Sequence, residues 1–262
     1  MRLADHFSRS GDVLFRWRGY LPLLLCPLFL IALLDARLPH PVSGAVRAWQ
    51  VLAVLLALAG LAIRVVAIGT AASGTSERST VAPRASRLRT TGIYSLVRHP
   101  LYVGNTITAV GLAAFTTGWY LPVIVLLLGL LYHERIAAHE EAFLEERFAE
   151  EFRAWARAVP AMVPAGGSYI PSDEPFRWRR PFSREIHGLM AIASVVFVLD
   201  LFRAWLASGT LDPDPVWTPF FLASAAVFVV FRALKKRTSV FREAEMADGL
   251  RAVEMQNVEG RP

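Results

Sequence analysis

The sequence predicts an all-α protein, a polytopic membrane bundle of about six transmembrane helices that includes one short helical hairpin. Three observations predict it. Of 262 residues, 54% are hydrophobic and only 19% charged, with a mean hydropathy of +0.40, whereas an ordinary soluble domain is nearer a quarter charged. The apolar residues come in long blocks, and between His99 and His133 there is no Asp, Glu, Lys or Arg. The basic residues, 28 against 22 acidic, gather in segments that flank those blocks. A disordered chain, a fibrous repeat and a small disulfide scaffold are thereby excluded. The single cysteine, Cys26, excludes an intramolecular disulfide.

A bilayer core of ~30 Å needs about 20 helical residues. Tyr20 to Leu38 is the first span, with Asp35 and Arg37 at its far end. Ala45 to Gly69 is the second, and Arg64 lies near its end, where a long side chain can snorkel to the interface. Tyr102 to Tyr132 is too long for one span, and Thr116, Thr117, Gly118 and Pro122 interrupt it. It reads as a hairpin with two arms of about 15 residues, each reaching only ~23 Å. Ile186 to Leu206 follows, with Asp200 and Arg203 one helical turn apart, and Pro215 to Leu234 closes the set before Lys235, Lys236 and Arg237. Asp35, Asp200 and Arg203 sit near span ends, where pairing at the interface accounts for them. Trp119, Tyr120, Trp178 and Trp217 read as aromatics of the interface belt.

Basic residues set the orientation. Arg2, Arg9, Arg16 and Arg18 precede the first span, five Arg lie in 70–100, eight in 134–185, and seven basic residues from Arg232 onward. With six spans these four segments share one side, so that side and both termini are expected in the cytoplasm. The organisation expected is an N-terminal segment and first span (1–44), a membrane core (45–165), a cytoplasmic linker (166–185), two additional spans (186–237) and a cytoplasmic tail (238–262). The basic excess reads as topology plus contact with anionic headgroups. No stripe of alternating basic and aromatic residues supports nucleic-acid binding.

Two stretches carry chemistry, and both face the basic side. The first runs from Thr91 to Gly104 and contains Arg98, His99 and Pro100. Pro100 keeps His99 out of the helical region and suits the first turn of the helix that follows. Arg98 and His99 are thus displayed at a helix N-terminus, where free N–H groups and the helix dipole favour an anion. The plainer alternative is a pair of interfacial anchors. The second stretch follows the hairpin. Phe143, Leu144, Phe148, Phe152 and Trp155 mark one apolar helix face. The helix therefore leaves the membrane as a continuation of the span. Glu140 and Glu141 stand one to two turns above the surface, at the height of the Arg98–His99 turn. Glu145, Glu146, Glu150 and Glu151 read as a solvated face. His133 and His139 are six residues apart, which does not place them on one face, so no metal site is expected.

Together the two stretches resemble a known family. Gly92, Tyr94, Val97, Arg98, His99, Pro100, Tyr102 and Gly104 fit Gly-x-Tyr-x-x-Val-Arg-His-Pro-x-Tyr-x-Gly. After the hairpin, Glu140, Glu141, Leu144, Phe148, Glu151, Phe152, Trp155, Val159, Pro160 and Pro164 continue the pattern. The chain is similar, over roughly residues 45–165, to the isoprenylcysteine carboxyl methyltransferase and phospholipid methyltransferase superfamily of integral-membrane, S-adenosyl-L-methionine-dependent enzymes. Ala149 stands where the family usually has Gly, and Phe152 and Trp155 where Tyr is common. These replacements are expected to keep the shape.

The resemblance implies a cytoplasmic cofactor pocket built from the Arg-His-Pro turn, the hairpin and the Glu-Glu helix. Tyr94, His99, Pro100, Tyr102 and Gly104 would contribute to binding S-adenosyl-L-methionine, with His99 and Tyr102 at its polar end and Glu140 or Glu141 on its ribose. Arg98 and Glu141 are the expected catalytic pair, Arg98 orienting the acceptor or the cofactor carboxylate. A lipid or lipid-linked acceptor would enter from the bilayer. A carboxylate or phosphate acceptor is already anionic and needs no base. An amine must first lose a proton, and no base poised for that stands out. The Arg-rich, Lys-poor composition suggests a bacterial inner membrane and hence a bacterial lipid. The alternatives are a sterol-reductase-like, NADPH-dependent membrane enzyme and a non-enzymatic scaffold or transporter. The sequence does not give the oligomeric state.

Overall fold

The computed structural model describes residues 14, 16–17, 19–70, 87–173 and 175–237. The described residues fold into helices without strands: α1 (Cys26–Ala36), α2 (Gly44–Gly69), α3 (Pro100–Phe115), α4 (Tyr120–Ala158), α5 (Arg179–Ser208) and α6 (Trp217–Arg237). By length and composition α2, α4, α5 and α6 can each cross a bilayer, and α1 and α3 are shorter apolar helices. The protein is a multi-pass helical membrane protein. The expected tail, most of the segment before the first span and both chain ends lie outside the described residues.

Each element starts and stops for a local reason. Pro22 and Pro27 lack N–H groups, so the first span opens as a 3₁₀ turn, Leu21–Leu25, before α1 begins. α1 ends where Arg37 turns left-handed at φ 45°. Ser43 caps α2, its Oγ accepting from the Val46 N–H at 3.3 Å. The hairpin forms as expected: α3 stops at Phe115, Thr117 adopts φ 65°, and α4 starts at Tyr120. The apolar part of α4 ends near His133, and the charged remainder continues to Ala158, about seven more turns.

α2 and α3 touch backbone to backbone. A Cβ on Gly60 would lie 2.5 Å from the Gly104 carbonyl oxygen, and one on Gly111 2.5 Å from the Ala57 nitrogen. Small residues permit this approach, which compensates for the missing hydrophobic drive between helices in lipid. Two bonds cross the contact: Thr108 Oγ1 donates to the Ala57 carbonyl at 3.1 Å and Trp49 Nε1 to the Ala114 carbonyl at 2.9 Å. Around it pack Leu33, Phe115, Ile192, Val196, Leu199 and Trp217. Leu52 and Leu55 of α2, Leu127 and Leu131 of α4 and Val229 and Val230 of α6 stay exposed, as lipid-facing residues do.

Two expectations are corrected here. Trp217 is not an interface aromatic; it is 3% exposed and packs edge-on against Phe115, ring centroids 5.1 Å apart. Arg64 does not snorkel. Its Nε and Nη2 hold the Glu185 carboxylate at 2.8 and 2.6 Å, and its Nη1 bonds Asn105. A carboxylate on α5 was the nearer partner, which a single-span reading could not reveal.

At the end of the bundle away from the Arg-His-Pro and Glu-Glu stretches, charged residues interlock. Arg47 of α2 grips Asp214 through Nη2 at 2.6 Å and Nε at 3.1 Å. The Asp214 N–H donates to Asp200 Oδ2 at 2.7 Å, and Arg203 Nε donates to Asp200 Oδ1 at 2.9 Å. Arg203 Nη1 reaches the Pro39 carbonyl at 3.1 Å. The expected pairing of Asp200 with Arg203 is present, buried, and extended to the α1–α2 and α5–α6 loops. Burial alone would raise the Asp214 carboxyl, but the Arg47 bonds outweigh it and hold that carboxyl below its ordinary value.

Candidate active site

The opposite end gathers the two motif stretches. Gly92 takes φ 64° and opens a 3₁₀ turn, Gly92–Ser95, against Ile170, whose carbonyl accepts the Gly92 N–H at 2.8 Å. Ser95 Oγ answers by accepting the Ile170 N–H at 2.9 Å. His99 is the N-cap residue of α3, outside helical geometry at φ −123° and ψ 61°, with Pro100 at the first helical position. This is the turn expected from the Arg-His-Pro order.

What the turn does with its donors differs from expectation. The Arg98 N–H donates to the Pro160 carbonyl at 2.9 Å and the His99 N–H to the Ala161 carbonyl at 3.0 Å. These N–H groups are therefore not open to an anion. The segment after α4 folds back and uses them, a tertiary contact with no local signature.

Arg98 is likewise committed. Its Nε and Nη2 hold Glu141 Oε1 and Oε2 at 2.9 and 3.1 Å, and Nη1 donates to the carbonyls of Ala156 and Val159 at 2.8 and 2.7 Å. Four of the five guanidinium N–H groups are thus used inside the protein. Glu141 is equally occupied, since its Oε1 also accepts from His99 Nε2 at 2.8 Å. Burial alone would push the Glu141 carboxyl up, but the His99 and Arg98 bonds prevail and hold it below the usual carboxylate range.

Glu140 is different. Tyr102 Oη donates to its Oε1 at 2.6 Å, and its Oε2 is 3.7 Å from His99 Nδ1, beyond hydrogen-bond reach. Arg98 is paired with Glu141, so the group nearest Glu140 that can carry a positive charge is His99, at 3.7 Å. Tyr102 stacks on His99 and on His133, at 5.5 and 5.0 Å between centroids with 19° between planes in each case. His133 Nδ1 lies 3.0 Å from Thr106 Oγ1.

The remaining expected residues fall nearby with distinct surroundings. Tyr94 accepts from Arg89 Nη1 at 3.2 Å on its hydroxyl, and its carbonyl accepts from Trp155 Nε1 at 3.2 Å. Pro100 is buried in the turn, and Gly104 is buried against Gly60 and Arg64 in the α2–α3 contact. Phe143, Leu144, Phe148, Phe152 and Trp155 do share the inward face, while Glu145, Glu146, Glu150 and Glu151 are exposed. Among the described residues no group of three His, Cys, Asp or Glu is placed to hold a metal ion. Sequence reasoning missed the Arg64–Asn105–Glu185 cluster and the carbonyls of 156–161. It also misjudged Ala149, whose φ of 42° and ψ of −111° break α4. A glycine takes that conformation without strain, so alanine there does not replace shape for shape.

Residues 48–151 match the phospholipid methyltransferase family. That match runs from α2 through the hairpin into the Glu-Glu part of α4, so this stretch of the helical membrane protein is similar to the phospholipid methyltransferase family. Among curated relatives, the chain is 34% identical over 124 residues to the cobalt-zinc-cadmium resistance protein CzcN of Cupriavidus metallidurans, covering 47% of this chain and 57% of that one. It is 40% identical over 81 residues to the nickel-cobalt-cadmium resistance protein NccN of Alcaligenes xylosoxydans xylosoxydans, covering 31% of this chain and 38% of that one. The matches span roughly two fifths to three fifths of those relatives. No solved structure matches the chain.

Proposed function

We propose that the protein transfers a methyl group from S-adenosyl-L-methionine to a lipid or lipid-linked acceptor at the cytoplasmic face of a bacterial inner membrane. The observation that carries this reading is the charge of the motif cluster. Arg98 and Glu141 pair with each other, which leaves Glu140 beside the His99 and Tyr102 rings as the carboxylate not bonded to a guanidinium. That environment suits a ligand with a net positive charge and hydroxyl donors, and a sulfonium nucleoside has both. Glu140, whose Oε2 makes no hydrogen bond within the cluster, would accept from the ribose diol, held in place by Tyr102 Oη. Glu141 and Arg98 would position His99 and the turn rather than touch the ligand. Bound there, the cofactor supplies an electrophilic methyl group. The residues around it contribute position and exclusion of water, and positioning can supply ~7–11 kcal/mol of barrier reduction.

The reading is tested by calorimetry on the purified chain. Micromolar binding of S-adenosyl-L-methionine or its demethylated product, with NADPH not binding, is expected; the reverse preference favours the reductase. A deletion strain should accumulate a membrane lipid lighter by one methyl increment. The names of the two relatives favour one extension, that the methylated product alters tolerance to divalent metal ions. The deletion strain is then expected to grow less well in cobalt, zinc or cadmium, and equal growth discards the extension. The scaffold or transporter reading loses its support from intramembrane charges, because Asp200 and Arg203 are bonded to each other.

A further inference from the structure

His133 has no part in the function proposed so far, yet its position is defined. It is 7% exposed, about two turns before Glu140 on α4, and stacked on Tyr102. Its neighbours fix its chemistry. Thr106 carries a single hydroxyl hydrogen, and Oγ1 donates it to the Tyr102 carbonyl one turn back, at 3.0 Å. Thr106 Oγ1 therefore has only lone pairs to offer His133 Nδ1, also at 3.0 Å. The bond forms only if Nδ1 carries the proton. A neutral imidazole protonated at Nδ1 has a basic lone pair at Nε2. The Gly129 carbonyl, one turn back on α4, also faces the ring, and among the described residues no side chain bonds Nε2.

We propose that His133 Nε2 is the proton acceptor of the methyl transfer, a role that calls for an acceptor group carrying a proton, an amine or a hydroxyl. The inference rests on the methyltransferase reading above. An ammonium or hydroxyl acceptor gives its proton to Nε2, making an imidazolium. The lone pair released on the acceptor heteroatom forms the bond to the methyl carbon as the carbon–sulfur bond breaks, and that electron pair stays on the now neutral sulfur. An anionic acceptor would have no use for a buried base at this depth. Tyr102 of α3, Tyr132 of α4 and the nearby His99 are the titratable groups facing the ring. General-base catalysis of this kind contributes about 100-fold or more.

Two measurements test it on the full chain in detergent or native membranes. The first is nitrogen-15 NMR of histidine-labelled protein, with the His133→Gln spectrum identifying the resonance. Protonation at Nδ1 near neutral pH is expected, with Thr106→Val disturbing it and Thr106→Ser retaining it. Protonation at Nε2, or at both nitrogens, overturns the proposal. The second follows transfer of labelled methyl from S-adenosyl-L-methionine into the lipids of membranes containing the protein. His133→Ala should bind the cofactor as the unaltered protein does but transfer about 100-fold more slowly, and added imidazole should restore part of the rate. Undiminished transfer by His133→Ala, or label found only as an ester of a carboxylate or phosphate, overturns the role of His133 while leaving the methyltransferase reading intact. No transfer by the unaltered protein removes the methyltransferase reading, and the base role with it.

Discussion

Glu140 and Glu141 are neighbours in sequence with opposite duties. A helix turns ~100° between consecutive residues, so the two carboxylates meet different partners: Glu141 faces Arg98 and His99, Glu140 faces Tyr102. Substitutions should separate them. Glu140→Gln keeps the shape and weakens a charge-assisted bond to a neutral one, about 1–2 kcal/mol. Cofactor affinity measured by calorimetry should fall roughly 5- to 30-fold on that basis, with thermal stability unchanged. Arg98→Lys loses the planar fork and strips the carbonyls of Ala156 and Val159 of a donor. Each buried acceptor left unsatisfied costs about 1–3 kcal/mol, so this variant should unfold at lower temperature before any effect on binding is read. Glu145→Gln, on an exposed residue 3.5 Å from Arg153, should change neither. Equal and negligible effects at Glu140 and Arg98 would sink the site assignment.

At the scale of the element, α4 carries its own flaw. Ala149 is held at a positive φ with ψ far from helical, a conformation costing an L-residue roughly 1–2 kcal/mol. Glycine loses more entropy on folding but pays none of that strain. Ala149→Gly should therefore stabilise the protein by about 1 kcal/mol in equilibrium unfolding, and a lower unfolding midpoint would show that the break is not as drawn. The α2–α3 contact predicts the opposite at Gly111. Its Cβ would sit 2.5 Å from the Ala57 nitrogen and 2.7 Å from the Ala53 carbonyl oxygen, both backbone atoms that cannot swing aside. Gly111→Val should separate the helices and cost several kcal/mol, read as lost stability and, through the displaced turn at Pro100, weaker cofactor binding.

Across the whole molecule, paired charges join helices distant in sequence. Glu185 binds Arg64 121 positions away, which docks α5 on α2. Arg64→Met leaves a buried carboxylate alone, at a cost of about 3–5 kcal/mol, while Arg64→Met with Glu185→Leu should recover most of it. The Arg47–Asp214 clasp adds a pH signature. The Asp214 carboxyl is depressed below its ordinary 3.8 when folded. Its contribution is complete above 3.8 and is lost as pH falls through the lower folded value. The stability gap between the protein and Asp214→Asn should therefore stay constant from about pH 7 to about pH 4 and close below that. A gap independent of pH down to about pH 2 would mean that the carboxylate does not carry the clasp.

Sequence alone determined the helices, the hairpin with its break near Gly118 and the segments that meet at the motif end. Apolar block length, proline, glycine and the order of charged segments act locally, and a bilayer leaves helices as the way to satisfy backbone bonds within such blocks. It also brought Arg98, His99, Tyr102, Glu140 and Glu141 to one height. Tertiary structure decided which of those groups are spent. The carbonyls of 156–161 that occupy Arg98 and the turn, the Glu185 that holds Arg64 and the Thr106 hydroxyl that sets His133 come from elements with no fixed spacing to their partners. A hydrogen bond depends on distance and direction in space. Only the packed helices supply both, so only they separate a saturated Glu141 from an available Glu140.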